Sequence, residues 1–276
     1  MKHEQFRLSE GDLSFLVDVV SPGSVEKDRL KQLIRRDESV RDSYIRDEKV
    51  FSRIMNEEEA FLRISPQLYF EILLRKTRSQ LHDAGYTVER TGRNTIPVFD
   101  LKDVDEFLSR ESVLAYLADM LASFTKIESY SISYPVRKGI WRTIRYSDLD
   151  IDSLMKYAQW TEEEQRFSIY KRIGDLCLFM VGIFPEYTIY SQRYALTGEP
   201  RPKIAGQARR SMAEYEKEGR KFYESAAEHP SAKNAGLADV FSLLHDHFNA
   251  AKKPLNFLSE HYLHYRRSRL FGMERH

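Results

Sequence analysis

Asp175 is the acid whose setting in this sequence most invites chemistry. It stands at the entrance to the longest apolar run of the chain, the nine residues Leu176 to Phe184. A carboxylate drawn into such a run must be paired or hydrogen-bonded, because an isolated buried charge is heavily penalised. Lys171 and Arg172 lie one helical turn back and are the nearest cations. One reading is therefore a buried ion pair that fixes helix register. The other is a ligand-binding carboxylate, with Tyr170, Tyr215 and Tyr223 as pocket candidates and Tyr187 and Tyr190 beside them. With 16 tyrosines in the chain, some fall near any chosen residue by chance.

Two groups of cations have the make-up of a nucleic-acid surface. Arg75, Lys76 and Arg78 lie on an expected helix from Pro66 to Ala84, ahead of an expected hairpin tipped by Arg90 and Arg93. With helices over 25–36 and 40–54, this order resembles a winged helix, the helix entering the major groove and the tip resting on phosphate. Leu68, Tyr69, Phe70, Ile72, Leu73 and Leu74 leave that helix little polar face, which favours burial instead. The second group is Arg137, Lys138, Arg142 and Arg145, interleaved with Tyr134, Trp141 and Tyr146. Cations beside stacking rings suit a single strand of nucleic acid. On a strand, however, Trp141, Thr143 and Arg145 face one way and Arg142, Ile144 and Tyr146 the other, so neither face is purely basic.

Metal and cofactor chemistry find little support. Six of the eight histidines follow residue 228, namely His229, His245, His247, His261, His264 and His276. His245 and His261 would stand about 24 Å apart along one helix, and His245 and His247 point to opposite sides. Only His261 and His264 share a face, and no histidine has an acid three residues before it. The Glu-x-x-His pair of di-iron bundles is thus missing, as are His-Glu-x-x-His, Walker, Gly-x-Ser-x-Gly and Gly-x-Gly-x-x-Gly patterns. No catalytic residue, metal or cofactor is assigned.

The elements that must position these residues are mostly helices. Leu237, Phe241, Leu244, Phe248, Ala251, Leu255, Leu258, Tyr262 and Tyr265 recur at alternating steps of three and four, one continuous stripe on one helix face. Phe167, Tyr170, Gly174, Cys177, Val181 and Phe184 form a second stripe, and Ala208, Met212, Tyr215, Gly219, Phe222 and Ala226 a third. The spacing predicts a mainly α protein with a helical bundle in the C-terminal half. Pro254 should kink the last helix, and Thr161 with Glu164 has the pattern of a capping box. Ser65 and Pro66 open the helix that Gly85 closes, and Asp100 caps the next one. Two small β-hairpins are expected, over 86–99 around Gly92 and over 129–146 around Gly139. The resulting division is a charged helical region with a winged-helix-like hairpin at 1–100, then the bundle at 101–276.

Lys and Arg number 43 against 42 Asp and Glu, so any nucleic-acid contact must come from a local patch. The one cysteine, Cys177, can form no internal disulfide and reads as a small core residue. A nine-residue apolar run is far short of the roughly 20 that span a bilayer. The polar start, Met1-Lys-His-Glu-Gln, lacks the apolar stretch of a secretory signal, and the expected location is the cytoplasm.

Ile64 to Arg75, Tyr116 to Phe124 and Arg172 to Glu186 resemble segments of a bacterial protein family of unknown function. The resemblance spans about residues 60 to 260, implies a bacterial cytoplasmic protein and carries over no functional residue. The expectation is a non-enzymatic binding or regulatory protein. Its N-terminal region would contact nucleic acid or protein, and its C-terminal bundle would serve as scaffold or self-association face. The alternative is an enzyme or small-ligand receptor with a pocket at Asp175.

Overall fold

Ser65, Pro66 and Gly85 bound the helix around which the first half of the chain is built. The computed structural model describes residues 8–57, 60–91, 94–98, 101–126, 129–137, 140–147, 149–188 and 210–272, with backbone alone over most of 88–97 and 129–147. The contacts divide the chain into two units, Met1–Ser123 with Glu260–Tyr262, and Phe124–Ser259 with Leu263–His276.

The helices of the first unit are α1 (Glu10–Val20), α2 (Lys27–Arg36), α3 (Glu38–Ile45), α4 (Glu48–Asn56), α5 (Ala60–Arg63), α6 (Pro66–Ala84), α7 (Leu101–Ser109) and α8 (Glu111–Ser123). The side chain of Ser65 accepts from the Leu68 amide, and Gly85 takes φ 78°, a left-handed stop natural to glycine. Between these ends α6 buries Leu68 through Arg75, along with Thr77 and Leu81, and packs against α4, α7 and α8. The stretch 40–54, expected as one helix, is two. Asp47 interrupts it by accepting from the Lys49 amide and capping α4. Asp12 is wholly buried, and its carboxylate joins two helix starts. It accepts from the Ser9 amide and hydroxyl, each at 2.8 Å, and from the Ser65 amide at 2.6 Å.

The second unit holds α9 (Ile151–Trp160), a 3-10 turn at Glu163–Gln165, α10 (Arg166–Ile183), α11 (Met212–Glu228), α12 (Pro230–Ala235), α13 (Ala238–Asp246), α14 (Phe248–His261) up to Ser259, and α15 (Arg267–Leu270). Buried from Ile173 to Ile183, α10 is the core of this unit, and α11 lies along it. Small residues permit the approach. A Cβ on Gly219 would come within 2.5 Å of the Phe248 ring and 2.9 Å of the Cys177 Cβ, and one on Gly182 within 2.7 Å of Leu255. The last carbonyls of α10 are bonded by side chains from far along the sequence. The Asn256 amide donates to Val181 and Gly182, and the Ser259 hydroxyl and Arg267 guanidinium both donate to Ile183. These groups satisfy carbonyls that a helix end otherwise leaves open.

The fold-class expectation is corrected at its winged helix. The protein is mainly helical in both units, and among the described residues there is no winged helix. The element meant to read a groove, α6, is enclosed on several sides by other helices, and its Arg75 is only 8% exposed. The extended backbone is minor: Thr87–Thr91 runs antiparallel to Asn94–Val98 and Ser129–Arg137 to Ile140–Ser147, each pair joining no further strand. The unit boundary falls at 123/124 rather than at 100, because α7 and α8 pack on α6.

Three further expectations change. The final helix is in two pieces that part at His247, with Pro254 inside the second, and Arg220 bonds the carbonyls of His245 and Asp246 at that break. Thr161 makes no capping box. Its hydroxyl donates back to the Tyr157 carbonyl, and α10 starts only at Arg166. From Phe241 to Leu258 the apolar stripe is buried within the chain itself, while Tyr265 is 93% exposed. That stripe is occupied by the chain's own core and offers a second copy no face. Asp100 and Ala208 lie outside the described residues.

Candidate functional site

Ile72, Arg75, Lys76, Ser79 and His82 recur on α6 at steps of three and four, so they form one stripe of that helix. The stripe faces a cleft of about 370 Å³, a size suited to a small ligand. Ile45 and Arg46 close it from the end of α3, Glu48 and Phe51 from α4, Asp105 from α7, Leu114 from α8, and Arg78 from the flank of α6. All of these residues belong to the first unit.

Arg75 is the fixed centre of the cleft wall. It donates from Nε and Nη2 to Glu71 Oε1 at 3.0 and 2.8 Å, and from Nη1 and Nη2 to the two Glu111 oxygens at 3.3 and 2.7 Å. Asp42 Oδ1 lies 3.3 Å from the same guanidinium and accepts no hydrogen bond of good geometry. Burial pushes the Glu71 carboxyl up despite Arg75 beside it. Burial also opposes the charge on Arg75, but Glu71, Glu111 and Asp42 outweigh it and hold the guanidinium charged. The same acids reach outward, since Arg46 stands 3.7 Å from both Asp42 and Glu111.

The rims differ from this centre. Lys76 pairs with Glu48 of α4, its ammonium 5.2 Å from the centre of the Phe51 ring. On the other side Arg78 Nε donates to Asp105 Oδ1 of α7 at 2.9 Å. The partner carboxylates are open to water, with side chains 67% exposed at Glu48 and 36% at Asp105. The candidates Arg75, Lys76 and Arg78 are therefore brought together, though as a centre and two rims rather than as one basic face.

The Asp175 group is built differently. Asp175 is fully buried, accepting from the Tyr223 hydroxyl at 2.9 Å and from Lys171 Nζ at 2.8 Å. The space there is filled: a Cβ on Gly174 would meet the Tyr223 ring at 2.8 Å. Burial, together with Asp175, pushes the Tyr223 phenol well up. Tyr170 packs on Phe222, and Tyr215 lies buried on α11, its phenol pushed up to about 12 by burial. These contacts fit the ion-pair reading of Asp175. Burial likewise raises the Cys177 thiol, which keeps it protonated and unreactive.

Arg93, Lys138 and Tyr190 lie outside the described residues, and for Arg90, Arg137, Trp141, Arg142 and Arg145 only the strand backbone is described. No group of three or more His, Cys, Asp or Glu among the described residues could hold a metal ion. Two histidines are bonded into the fold. His229 Nδ1 accepts from the Ser231 amide while Nε2 meets the Glu163 carbonyl at 2.8 Å, and His245 Nδ1 meets the Arg220 carbonyl at 3.0 Å. No described helix is long and apolar enough to cross a membrane.

Sequence reasoning missed Arg46, Glu48, Phe51, Ser79, His82 and Asp105 as cleft residues. The spacing of 72, 75, 76, 79 and 82 was the available signal for the α6 side; the other walls come from distant helices. Compared with protein-family models, with curated proteins and with solved structures, the chain gives no match.

Proposed function

We propose that the protein acts by binding, without chemistry of its own, and that it takes a small anionic compound into the cleft of the first unit. The observation carrying this reading is that Lys76 and Arg78 line the cleft while held by solvent-open carboxylates. Lys76 and Arg78 are themselves only 22% and 28% exposed, and a ligand carboxylate or phosphate would take the place of Glu48 or Asp105 by exchanging one anion for another. Arg75 cannot be drawn out in the same way, because its side chain and that of Glu71 are only 6% and 10% exposed and breaking a buried pair costs about 3–5 kcal/mol. It contributes position and field. Phe51 supplies a ring for the less polar part of the ligand. The second unit serves as scaffold in this reading.

The test is thermal unfolding and titration calorimetry of the full chain with phosphate, acetate or chloride at one ionic strength. Phosphate or acetate should raise the unfolding midpoint over chloride, and the K76M/R78M double variant should lose the rise. An unfolding midpoint indifferent to all three anions, with no heat of binding, would end the proposal.

A further inference from the structure

The placement of the two rim cations narrows the ligand class, an inference that rests on the anion-binding reading above. Lys76 and Arg78 are two residues apart on α6, so their side chains leave the helix about 160° apart. One goes to Glu48 on α4 and the other to Asp105 on α7. A single carboxylate on one of them leaves the other with its own protein partner. Between the rims the wall presents Arg75, Ser79 and His82. We infer that the cleft takes an elongated dianion. One anionic group sits on Lys76 in place of Glu48, the second on Arg78 in place of Asp105, and the middle of the molecule lies along Ser79 and Arg75.

Linkage provides the energetic reason. A monoanion gains one exchange of partners and binds weakly. Once the first end of a dianion is bound, the second exchange is intramolecular and proceeds at a high effective concentration, provided the spacer spans the cleft. Affinity should therefore depend on spacer length, which simple charge attraction would not produce.

Titration calorimetry of the full chain at fixed ionic strength decides it, using succinate, glutarate and adipate against butyrate. At least one dianion should bind about tenfold or more tighter than its monoanion. The preference should fall below about twofold in K76M and, separately, in R78M, because each variant removes one end of the span. Equal binding of dianions and monoanions overturns this inference and leaves the anion cleft standing, as does a preference that survives in either variant. No binding of any of these compounds overturns both.

Discussion

Replacing Asp175 tests whether the second unit is held by a buried ion pair. The carboxylate is wholly buried and accepts from Tyr223 at 2.9 Å and from Lys171 at 2.8 Å. Asn keeps the shape and one acceptor oxygen but loses the charge, so about one charge-assisted hydrogen bond is forfeited, roughly 1.5–3 kcal/mol. Lys171 keeps a quarter of its side chain in water and can be rehydrated, which holds the loss below that of a stranded charge. Asp175→Ala takes an acceptor from both donors at once and should cost more than Asp175→Asn. Tyr223→Phe should cost about 1–3 kcal/mol, because a carboxylate oxygen loses a donor. The assay is urea unfolding of the two single variants D175N and Y223F and of the double variant. The contact requires a coupling energy of roughly 0.5–3 kcal/mol between them. Additive losses would refute the Tyr223–Asp175 contact, and a D175N variant within about 0.5 kcal/mol of the parent would refute the ion-pair account.

Two further predictions concern other buried polar groups. Arg75→Met should destabilise the first unit by about 3–5 kcal/mol in urea unfolding, because Glu71 is left buried beside Glu111 and Asp42 without its cation. Arg75→Lys should recover only part of that, since an ammonium cannot serve the three acids with the guanidinium's forked geometry. At alkaline pH, Tyr215 sets a window. Its folded value of about 12 lies above the ordinary 10, so the stabilisation is complete below about pH 10 and is lost as pH rises through about 12. The loss should be roughly 2–3 kcal/mol, and Tyr223, raised in the same direction, adds to it. Unfolding followed across that window should show less decline in Y215F; an unchanged decline would remove Tyr215 as its source.

What the sequence made legible was local. Ser65, Pro66 and Gly85 bound α6 because caps act within one turn of a helix end. The pairing of Lys171 with Asp175 is likewise a one-turn contact. The break at Asp47 was equally local, yet the apolar pattern of 40–54 hid an N-cap that the residue type announces. Thr161 and Glu164 matched the capping-box pattern without forming it, whereas Ser9 with Asp12 and Ser211 with Glu214 form it. The pattern needs a backbone entering a helix, which residue types alone do not supply. Arg75 shows the remaining limit. Glu71 is its neighbour one turn away, but Asp42 and Glu111 arrive from α3 and α8, 33 residues before and 36 after it, and only tertiary packing selects them. The cleft escaped notice for the same reason, its far walls being α4, α7 and α8.

The side chains that close the end of α10 also bear on the timing of synthesis. Asn256, Ser259 and Arg267 follow the carbonyls they bond by 74 to 84 residues. At about 5–20 residues per second, a ribosome makes the caps roughly 4–17 s after the carbonyls. Helix–coil relaxation is complete in about a microsecond, so α10 can form long before these side chains close its end. Phe124 and α9 precede α10 in the chain and α11 follows within that interval, so the cover of α10 is added in stages and its end is closed last. The pace of that closure is set by translation speed.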